Sequence, residues 1–457
     1  MRASRCEKLA CGRFSDNACV AAGKRRGFCR PRPAVVTATR GRQAGGVRIA
    51  VAVGVLLLLG ALAGLGWWYQ MRQQHAPGQA AGTLTVDVTS TADRGPGTLR
   101  EALFIVASAN GKADVRLRVN RIAPETPLPP LVNPHGVRII GQQGNTQIDA
   151  HALGGAPVLD VAGANTSLES LQVSNCPGSA ILLRATQFRL RASTIEGCDV
   201  GVDVAENAGD VLLERNLFSG DRIGVRFAAS TRNGVVVGNT FLHSRDAGVW
   251  AVRAEPDARG SAIAVRENHF EGNRSGVVAA NVGVLIERNE FDGDAESGVH
   301  LLGAGAVVRG NHVTGGAGMG VMADNASDDV IDNNELDHLA AYGVMLRGSA
   351  SILVRANRVH NCAYGLAFVL GDPRRPSTAA GNTIIAPQFN GIDVIGDSPI
   401  LRDNQVLQAR AYALHVVDFE RPDGVRVTAH PTLENNNFHA ESATVAAGEA
   451  RGTARQR

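Results

Sequence analysis

The stretch NEFDGDAESGVHLLGAGAVVRGNHV, residues 289–313, decides the fold. Asn289 is followed two places later by an apolar residue, then by Gly298-Val299, then by a third apolar run, and at Asn311 the same order begins again. The three apolar runs are too short for helices, and Gly and Asn separate them. The stretch therefore predicts three short strands joined by tight turns, within 22 residues.

This order recurs along most of the chain, at intervals that are mostly 21 to 23 residues. The repeated asparagines are Asn216, Asn239, Asn268, Asn289, Asn311, Asn334, Asn357, Asn382 and Asn404, and the glycines that follow them are Gly224, Gly248, Gly276, Gly298, Gly320, Gly343, Gly365 and Gly391. A leucine-rich repeat would need regular Leu spacing, which is absent. Three strands per repeat instead predict a triangular coil. Coils stacked about 4.8 Å apart would align the asparagines in a structural hydrogen-bonded ladder.

Composition agrees with many short strands and turns, since 53 of 457 residues are Gly and aromatic residues make up only 4%. The formal charge of +3 hides an asymmetry: residues 1–48 contain 12 Lys and Arg against two acids, and the remainder has 34 basic against 41 acidic residues. The main body is therefore acidic, and nothing in its overall charge indicates a nucleic-acid partner.

An apolar segment, IAVAVGVLLLLGALAGLGWWY at residues 49–69, runs 21 residues without a charge. At about 1.5 Å per residue, a helix of this length spans a bilayer core of about 30 Å. The basic flank before it and the aromatic residues at its end predict a cytoplasmic N-terminus. We expect residues 47–69 to form a single transmembrane segment or signal anchor. A cleaved signal peptide, with a site near Ala61 or Ala63, is the alternative.

The regions beside this segment are assigned from composition. Residues 1–46 have no apolar periodicity and are expected to be a basic, disordered cytoplasmic tail, whose cysteines match no standard zinc pattern. Residues 70–82 are rich in Gln, Gly and Ala and predict a linker. The implied location is a bacterial inner membrane, crossed once, with the C-terminal domain in the periplasm or outside the cell.

Residues 83–130 are expected to cap the solenoid. Thr83 to Val88 alternates as a strand, and Leu99 to Ala109 has helical apolar spacing. The first coil has no neighbour below it, so a short amphipathic helix there would keep water from its core. The Gly-Thr-Leu-Arg-Glu-Ala sequence at residues 97–102 resembles the opening segment of many exported β-helix proteins.

From about residue 82 to residue 440, the sequence resembles the right-handed β-helix repeat proteins, the broad group that contains pectate lyases, polygalacturonases and mannuronan C5-epimerases. The predicted fold is accordingly all-β. It is a single-stranded right-handed parallel β-helix of about 12 coils over residues 131–440, with an N-terminal capping helix, preceded by one transmembrane helix and followed by a disordered tail at residues 441–457. In the carbohydrate-active relatives one strand face typically lines the substrate groove, which implies a polysaccharide partner.

The Gly-Val strands supply the candidate catalytic residues. Residues two and four places after each Gly point outward, which puts Asp393 and His415 in one column about 4.8 Å apart. A carboxylate beside an imidazole orients the ring for proton abstraction at a sugar carbon next to a carboxyl group. Tyr412 is predicted to be a second proton carrier on the opposite side of the sugar ring, and Asp418 a substrate-binding residue. Such a set resembles that of alginate lyases and epimerases.

A second group, His300, Asp324 and Arg347, ascends the same face one coil at a time. Arg347 is predicted to bind a substrate carboxylate through a bidentate pair. Trp250, two coils below His300, is predicted to stack against a sugar ring. Three inserted loops follow strands of this face, at residues 253–261, 371–377 and 418–424, and they either form the walls of a cleft or cover its apolar strip.

The acids around this face do not predict a glycosidase. Asp328 and Asp329 fall in a turn and Asp332 falls in the next strand, so they are not expected to converge with Asp324. We predict neither a cofactor nor a metal site at the candidate centre; the acidic turn is either solvated or a calcium site.

Cysteines in the repeat predict one cross-link. Cys176 and Cys198 each lie three residues after a repeated apolar position, one coil apart, so a disulfide between them is feasible in an exported domain. Cys362 occupies the same turn position on a distant coil and is expected to remain a free thiol.

Three hypotheses of function follow. The first is a membrane-anchored, exported lyase or C5-epimerase that acts on uronate-containing glycans. The second is a non-catalytic β-helix that binds a glycan along the same groove. The third is a structural shaft of the cell envelope. The sequence alone does not separate them, because one architecture supports all three.

Overall fold

The computed structural model describes residues 82–441, except 143–145, 252–262, 281–282 and 317, together with the backbone of residues 443–445 and 451–456. The predicted tail at 1–46, the predicted membrane segment at 47–69 and nearly all of the predicted linker at 70–82 lie outside the described residues. Within the described part of the chain, no helix is long and apolar enough to cross a membrane.

One helix and many short strands make up the described chain. In its first half the elements are β1 (Leu84–Val88), α1 (Leu99–Ala107), β2 (Ala113–Leu117), β3 (Arg121–Ile122), β4 (Val137–Ile140), β5 (Gln147–Asp149), β6 (Leu159–Val161), β7 (Thr166–Glu169), β8 (Gln172–Ser174), β9 (Ser179–Leu183), β10 (Thr186–Arg191), β11 (Thr194–Glu196), β12 (Val200–Val204), β13 (Gly209–Glu214), β14 (Leu217–Ser219), β15 (Ile223–Phe227), β16 (Arg232–Val237), β17 (Thr240–Leu242), β18 (Ala247–Ala251), β19 (Ile263–Arg266), β20 (His269–Glu271) and β21 (Ser275–Ala279).

The second half continues with β22 (Leu285–Glu287), β23 (Glu290–Asp292), β24 (Ser297–Leu301), β25 (Val307–Arg309), β26 (His312–Thr314), β27 (Met319–Asp324), β28 (Val330–Asp332), β29 (Glu335–Asp337), β30 (Tyr342–Arg347), β31 (Leu353–Arg355), β32 (Arg358–His360), β33 (Tyr364–Val369), β34 (Thr378–Ala380), β35 (Thr383–Ile385), β36 (Ile392–Ile395), β37 (Ile400–Arg402), β38 (Gln405–Ala409), β39 (Tyr412–Val417), β40 (Phe419–Glu420), β41 (Arg426–Val427), β42 (Thr432–Ala440), β43 (Ala443–Val445) and β44 (Arg451–Gln456).

Every third strand joins the same face, and nearly all pairs are parallel. The Gly-Val strands form a sheet of 13 strands from β6 to β43, one per turn. The remaining strands form two further faces, which are joined at the C-terminal end because β42 pairs with both β37 and β38. The molecule is therefore a parallel β-solenoid of about 13 turns, one more than the sequence predicted.

A buried ladder of asparagine side chains runs along one corner. Each side-chain oxygen accepts hydrogen bonds from the backbone N–H and the side-chain amide of the asparagine one coil below, as between Asn311 and Asn289, at 2.9 and 3.0 Å. The amide of Asn311 also donates to the carbonyl of Ile286, at 3.0 Å. The ladder runs without interruption from Asn216 to Asn436, so every polar atom at this buried turn is paired.

The residue before each ladder asparagine has a left-handed backbone. These residues are Arg215, Gly238, Glu267, Arg288, Gly310, Asn333, Ala356, Gly381, Asp403 and Asn435, with φ between 51° and 63°. A side chain in this conformation costs about 1–2 kcal/mol, except at Gly. The ladder's hydrogen bonds therefore hold a turn that many of these residues would not adopt alone.

The repeated glycines are required by close approach between coils. A Cβ at Gly276 would lie 2.4 Å from the ring of Phe291 and 2.7 Å from the carbonyl of Gly298. Phe291 belongs to an inner stack with Phe218, Phe241 and Phe270, whose ring centroids are 4.7 to 4.9 Å apart. At Gly276, the Gly-Val motif therefore marks the point where the strand backbone passes directly over a buried ring.

The N-terminal cap consists of α1 against β1 and β2. Thr98 caps the helix by accepting a hydrogen bond from the backbone N–H of Glu101, at 3.3 Å, and Leu99, Leu103 and Val106 are buried beneath it. Because β1, β2 and β4 already pair in parallel, strand pairing of the solenoid begins within the region that the sequence assigned to the cap, residues 83–130.

A disulfide joins two early coils, and two further strands follow the last coil. Cys176 and Cys198 form a disulfide between adjacent coils, with Cα atoms 4.2 Å apart, and Cys362 is a buried free thiol. At the other end, β43 and β44 pair with β39 and β42 inside the region predicted to be a disordered tail, residues 441–457. These strands pair with backbone groups that the last coil would otherwise leave unpaired.

Candidate functional site

The outward face of the 13-stranded sheet contains the predicted site residues. In β24, Val299 and Leu301 are fully buried in the core, whereas His300 between them is partly exposed on the outside. Ala367, Asp393 and His415 follow one another in one outward column, as the strand registers of β33, β36 and β39 show. The alternation inferred from the sequence therefore brings Asp393 and His415 together.

Asp393 is the centre of a hydrogen-bonded cluster, and its side chain is only 3% exposed. One carboxylate oxygen lies 2.9 Å from Nδ1 of His415 and accepts from the amide of Asn390 at 2.8 Å. The other oxygen accepts from the hydroxyl of Tyr342, at 3.0 Å. When Nδ1 carries the proton that this contact needs, Nε2 of His415 is the unprotonated nitrogen and can accept a proton.

Sequence reasoning missed Tyr342 as a member of this cluster. Its strand lies two coils from that of Asp393, and Tyr342 belongs to the column of Tyr364 rather than to that of Asp393. Burial, followed by the nearby Asp393 carboxylate, raises the pKa of Tyr342 above its usual value, so the hydroxyl remains a donor. The signal in the sequence is that Tyr342, like Tyr364, directly precedes a repeated glycine.

A stack of three aromatic rings lies beside the cluster. Tyr342 stacks on Tyr364 with ring centroids 4.6 Å apart, and Tyr364 stacks on Phe389 at 5.0 Å. Phe389 is 48% exposed, which makes it one of the most exposed large apolar side chains in the described chain. An exposed aromatic ring next to polar groups is a surface on which a ring-shaped, partly apolar ligand can stack.

Tyr412 lies against His415 rather than across a cleft from it. The two rings are 5.4 Å apart between centroids and 13° from parallel. This spacing leaves no room for a sugar between them. The stacked rings show that Tyr412 and His415 lie on the same side, whereas Tyr412 was predicted on the opposite side of a substrate ring.

His300, Asp324 and Arg347 also lie together, but their side chains contact one another. Arg347 donates to both oxygens of Asp324, at 2.5 and 2.7 Å, and Nε2 of His300 lies 3.3 Å from the same carboxylate. Asp324 thereby occupies the bidentate edge that the sequence assigned to a substrate carboxylate. Arg347 is therefore paired within the protein, and its role in binding a substrate carboxylate stays a prediction.

A cleft lies lower on the same face. Its volume is about 330 Å³, and its lining includes Trp250, Val278, His300 and Leu302. Trp250, Val278 and His300 stand on three consecutive coils of one column. The predicted spacing of Trp250 two coils below His300 is confirmed, and the cleft offers an aromatic wall with a polar rim made in part by Glu296.

The loops that follow this face make their own contacts. Asp418 accepts from the backbone N–H of Ala429 at 2.9 Å and from Arg426 at 2.8 Å, and these contacts lower its pKa. Both oxygens of Asp418 thus fasten the hairpin of β40 and β41, and Asp418 is not a free substrate ligand as predicted. Arg375, in the predicted loop 371–377, pairs with Asp328 at 2.5 Å. The loop at 253–261 lies outside the described residues.

No metal centre is formed by the described side chains. Among them, no group of three or more His, Cys, Asp or Glu is placed to hold a metal ion. The acidic turn separates as predicted: Asp328 pairs with Arg375 and Asp332 with Arg355, whereas burial raises the pKa of Asp329 to about 7.

Two protein families match parts of the chain. Residues 257–407 match a family described as right handed beta helix region. The fold is a right-handed β-helix. Residues 143–257 match a family described as periplasmic copper-binding protein, NosD. The described residues of that part form no metal-binding group, so they do not fit a copper site, and no role for copper is derived. No curated protein sequence matches the chain.

Solved structures resemble this right-handed β-helix at low sequence identity. A tailspike protein mutant of E. coli bacteriophage HK620, in complex with a hexasaccharide, is 11% identical, with a TM-score of 0.50, covering 81% of this chain and 78% of the tailspike. The periplasmic alginate epimerase AlgG is 12% identical, with a TM-score of 0.42, covering 71% and 79%. The catalytic unit of an α-1,3-glucanase from Streptomyces thermodiastaticus is 13% identical, with a TM-score of 0.41, covering 82% and 68%. At these identities the likeness concerns the fold alone.

Proposed function

We propose that this β-helix binds a polysaccharide along the outward face of its 13-stranded sheet and abstracts a proton from a uronate unit at Asp393 and His415. The observation that carries the proposal is the 2.9 Å contact between His415 Nδ1 and the buried Asp393. The resemblance of the repeat to carbohydrate-active β-helix proteins supplies the ligand class, and the site supplies the chemistry.

The proposed step uses groups that the cluster holds in place. Nε2 of His415 takes the proton from the sugar carbon next to the carboxyl group, and Asp393 stabilises the resulting imidazolium. Asn390 and Tyr342 fix the carboxylate by donating to its two oxygens. Tyr412, stacked on the imidazole, is on the same side and can donate a proton to the leaving oxygen.

This arrangement favours a lyase over a C5-epimerase. Epimerisation needs a proton donor on the face opposite the base, whereas Tyr412 and His415 project from the same side. β-Elimination removes the C5 proton, breaks the C4–O bond and returns a proton to the departing oxygen, which a base and an acid on one side can accomplish. The expected product carries a C4–C5 double bond.

A second candidate function is glycan binding without catalysis. The cleft at Trp250 and His300 favours it, because that cleft offers an aromatic wall and a polar rim away from the Asp393 cluster. In this case the face holds a chain and releases it unchanged.

The membrane anchor belongs to the proposal as well. The uncharged run at residues 49–69 and its basic flank support a single span with the β-helix on the exported side. The match of residues 143–257 to a family described as periplasmic agrees with that side. Protease added outside spheroplasts is expected to digest the β-helix domain of the full chain; a fully protected domain would contradict the orientation.

The enzymatic test is incubation of the full chain, purified in detergent, with alginate, pectate and other uronate polymers. Absorbance of unsaturated products is expected to rise. His415→Ala and Asp393→Asn are each expected to reduce the rate by at least about 10²-fold. His312→Ala, an exposed histidine on another face, is the matched control. Full activity in His415→Ala would exclude this site, and binding without any turnover of any polymer would establish the second candidate instead.

A further inference from the structure

One outer face of the solenoid presents an aliphatic column that is separate from the proposed glycan face. The column takes one outward residue from every third strand from β13 to β37, that is, one from each consecutive coil. These residues are Leu212, Val235, Ala264, Leu285, Val307, Val330, Leu353, Thr378 and Ile400. Each of these side chains is partly exposed. At about 4.8 Å per coil, the eight positions from Leu212 to Thr378 extend over about 34 Å. We call this column the aliphatic stripe.

The other outward face of the same sheet shows that such a column is not imposed by the fold. There the equivalent positions on β20, β23, β26 and β29 are His269, Glu290, His312 and Glu335. Those side chains are polar, as a solvated strand surface requires. The aliphatic stripe is therefore a local choice of sequence, and a flat, apolar strip of this length indicates a partner.

A column of alternating charge lies beside the stripe, two residues further along each strand. From β19 to β31 it reads Arg266, Glu287, Arg309, Asp332 and Arg355. Neighbours within the chain pair, as Arg309 does with Glu287 at 2.7 Å and Arg355 with Asp332 at 3.0 Å. The sign changes at every coil, so the pattern repeats every second coil.

We propose that a second copy of this chain packs on the aliphatic stripe, with the two solenoids antiparallel. The two-fold axis runs parallel to the strands and passes between the coils of β22 and β25. This operation reverses the order of the coils and keeps each column opposite itself, so Leu285 faces Val307 of the second copy and Ala264 faces Val330.

The alternating charges favour this arrangement over its alternatives. The same axis sets Glu287 against Arg309 and Arg266 against Asp332 of the second copy, and no like charges meet. An axis through the coil of β25 would place Arg309 against itself. A parallel arrangement about an axis along the stripe would reverse the strand direction of the second copy. The charge columns of the two copies would then lie on opposite sides of the stripe, and their charges would not pair across the interface.

The first test is the mass of the full chain in detergent, measured by sedimentation over a range of concentrations. A dimer is expected. Arg309→Glu places the new glutamate of each copy opposite Glu287 of the other, once on each side of the axis. It is expected to raise the dissociation constant of the dimer by at least about tenfold. The double variant Glu287→Arg/Arg309→Glu restores opposite charges between positions 287 and 309, within the chain and across the axis, and is expected to recover the dimer.

The second test is cross-linking with a short bismaleimide, in a background with Cys6, Cys11, Cys19 and Cys29 replaced by Ser. In Ala264→Cys/Val330→Cys, the new thiols are three coils apart within one chain but face each other across the axis, so a covalent dimer is expected. Either single variant should remain uncoupled. His269→Cys/Glu335→Cys, also three coils apart but on the polar face, is the matched control.

Two outcomes would overturn the proposal. One is a monomer at every concentration, whether the stripe is free or covered by the chain's own terminal segments. The other is a dimer that is unaffected by Arg309→Glu and gives no Ala264–Val330 cross-link, because such a dimer forms elsewhere. Neither outcome bears on the lyase test, which uses a different face.

Discussion

At the scale of single residues, the buried asparagines show how one side chain serves two coils. Asn311 accepts from both nitrogens of Asn289 and donates to Ile286, and it is itself 2% exposed. Removal of this amide leaves two donors and one acceptor without partners in a dry interior. Unpaired buried groups cost more than the net value of the bonds that they made.

Asn311→Ala is therefore expected to lower the free energy of unfolding by about 2–4 kcal/mol. Denaturant unfolding followed by circular dichroism measures the change. Asn437→Ala removes an exposed side chain from a strand with an ordinary extended backbone, and it should cost less than about 0.5 kcal/mol. Equal effects of the two substitutions would mean that the ladder does not stabilise the turn.

Buried acids make stability depend on pH. Burial raises the pKa of Asp221 to about 8 and that of Asp294 to about 7, because each carboxyl has an oxygen without a hydrogen-bond partner among the described residues. The folded protein holds these protons at pH values where the unfolded chain has released them. The stability that these two groups contribute is therefore full below about pH 4 and falls as pH rises towards 7 or 8, by up to about 1.4 kcal/mol per pH unit for each group.

Asp294→Asn is expected to flatten part of this slope. Its side-chain oxygen keeps the bonds that Asp294 accepts from Asn273, at 2.9 and 3.1 Å, without the buried charge. The variant should be more stable than the wild type at pH 8 and similar to it at pH 5, in urea titrations at both values. Asp292→Asn, on the exposed neighbour, is the control. A wild type whose stability does not fall from pH 5 to pH 8 would contradict the assigned protonation.

At the scale of elements, the turn before each ladder asparagine requires a left-handed backbone that many of the residues there disfavour. Ala356 adopts a φ of 52° and Gly381, in the equivalent position one coil on, a φ of 63°. Left-handed backbone is costly for Ala and not for Gly. The ladder thus supports turns that the residue's own preference opposes.

Ala356→Gly is expected to stabilise the protein by about 0.5–1 kcal/mol, since relief of the left-handed strain exceeds the extra entropy of the unfolded chain. Gly381→Ala should destabilise it by a similar amount. Thermal unfolding of the two variants gives the comparison directly. If both changes move the midpoint in the same direction, packing around the turn, rather than backbone conformation, determines its cost.

The candidate site shows which contacts a repeat pattern can and cannot reveal. Asp393 and His415 could be paired from sequence because strand register repeats from coil to coil. Tyr342 could not, because its hydroxyl reaches a carboxylate two coils away and in a different column. Asp418 and Arg347 were placed on the right face, but their partners lie within the protein, Asp418 with Arg426 and Arg347 with Asp324. The sequence repeat predicts where a residue lies on the solenoid. The partners of its side chain depend on loops and rotamers that do not repeat.

At the scale of the whole molecule, a single covalent bond connects the early coils. The disulfide between Cys176 and Cys198 closes a loop of 22 residues. A cross-link of this length restricts the unfolded chain and is expected to stabilise the fold by about 3 kcal/mol. Dithiothreitol should shift the unfolding midpoint of the wild type downward and leave Cys176→Ser/Cys198→Ser unchanged. A shift of equal size in the double variant would assign the effect to other cysteines.

The solenoid also implies a direction of assembly. Nearly every strand pairs only with the strands one coil before and one coil after it, about 22 residues away, and α1 covers the end that is synthesised first. The capped end can therefore acquire its structure while later coils are still being made, and each new coil adds to a finished template. A chain built in this way has no need to wait for its C-terminus, and truncation from that end shortens the fold rather than abolishing it.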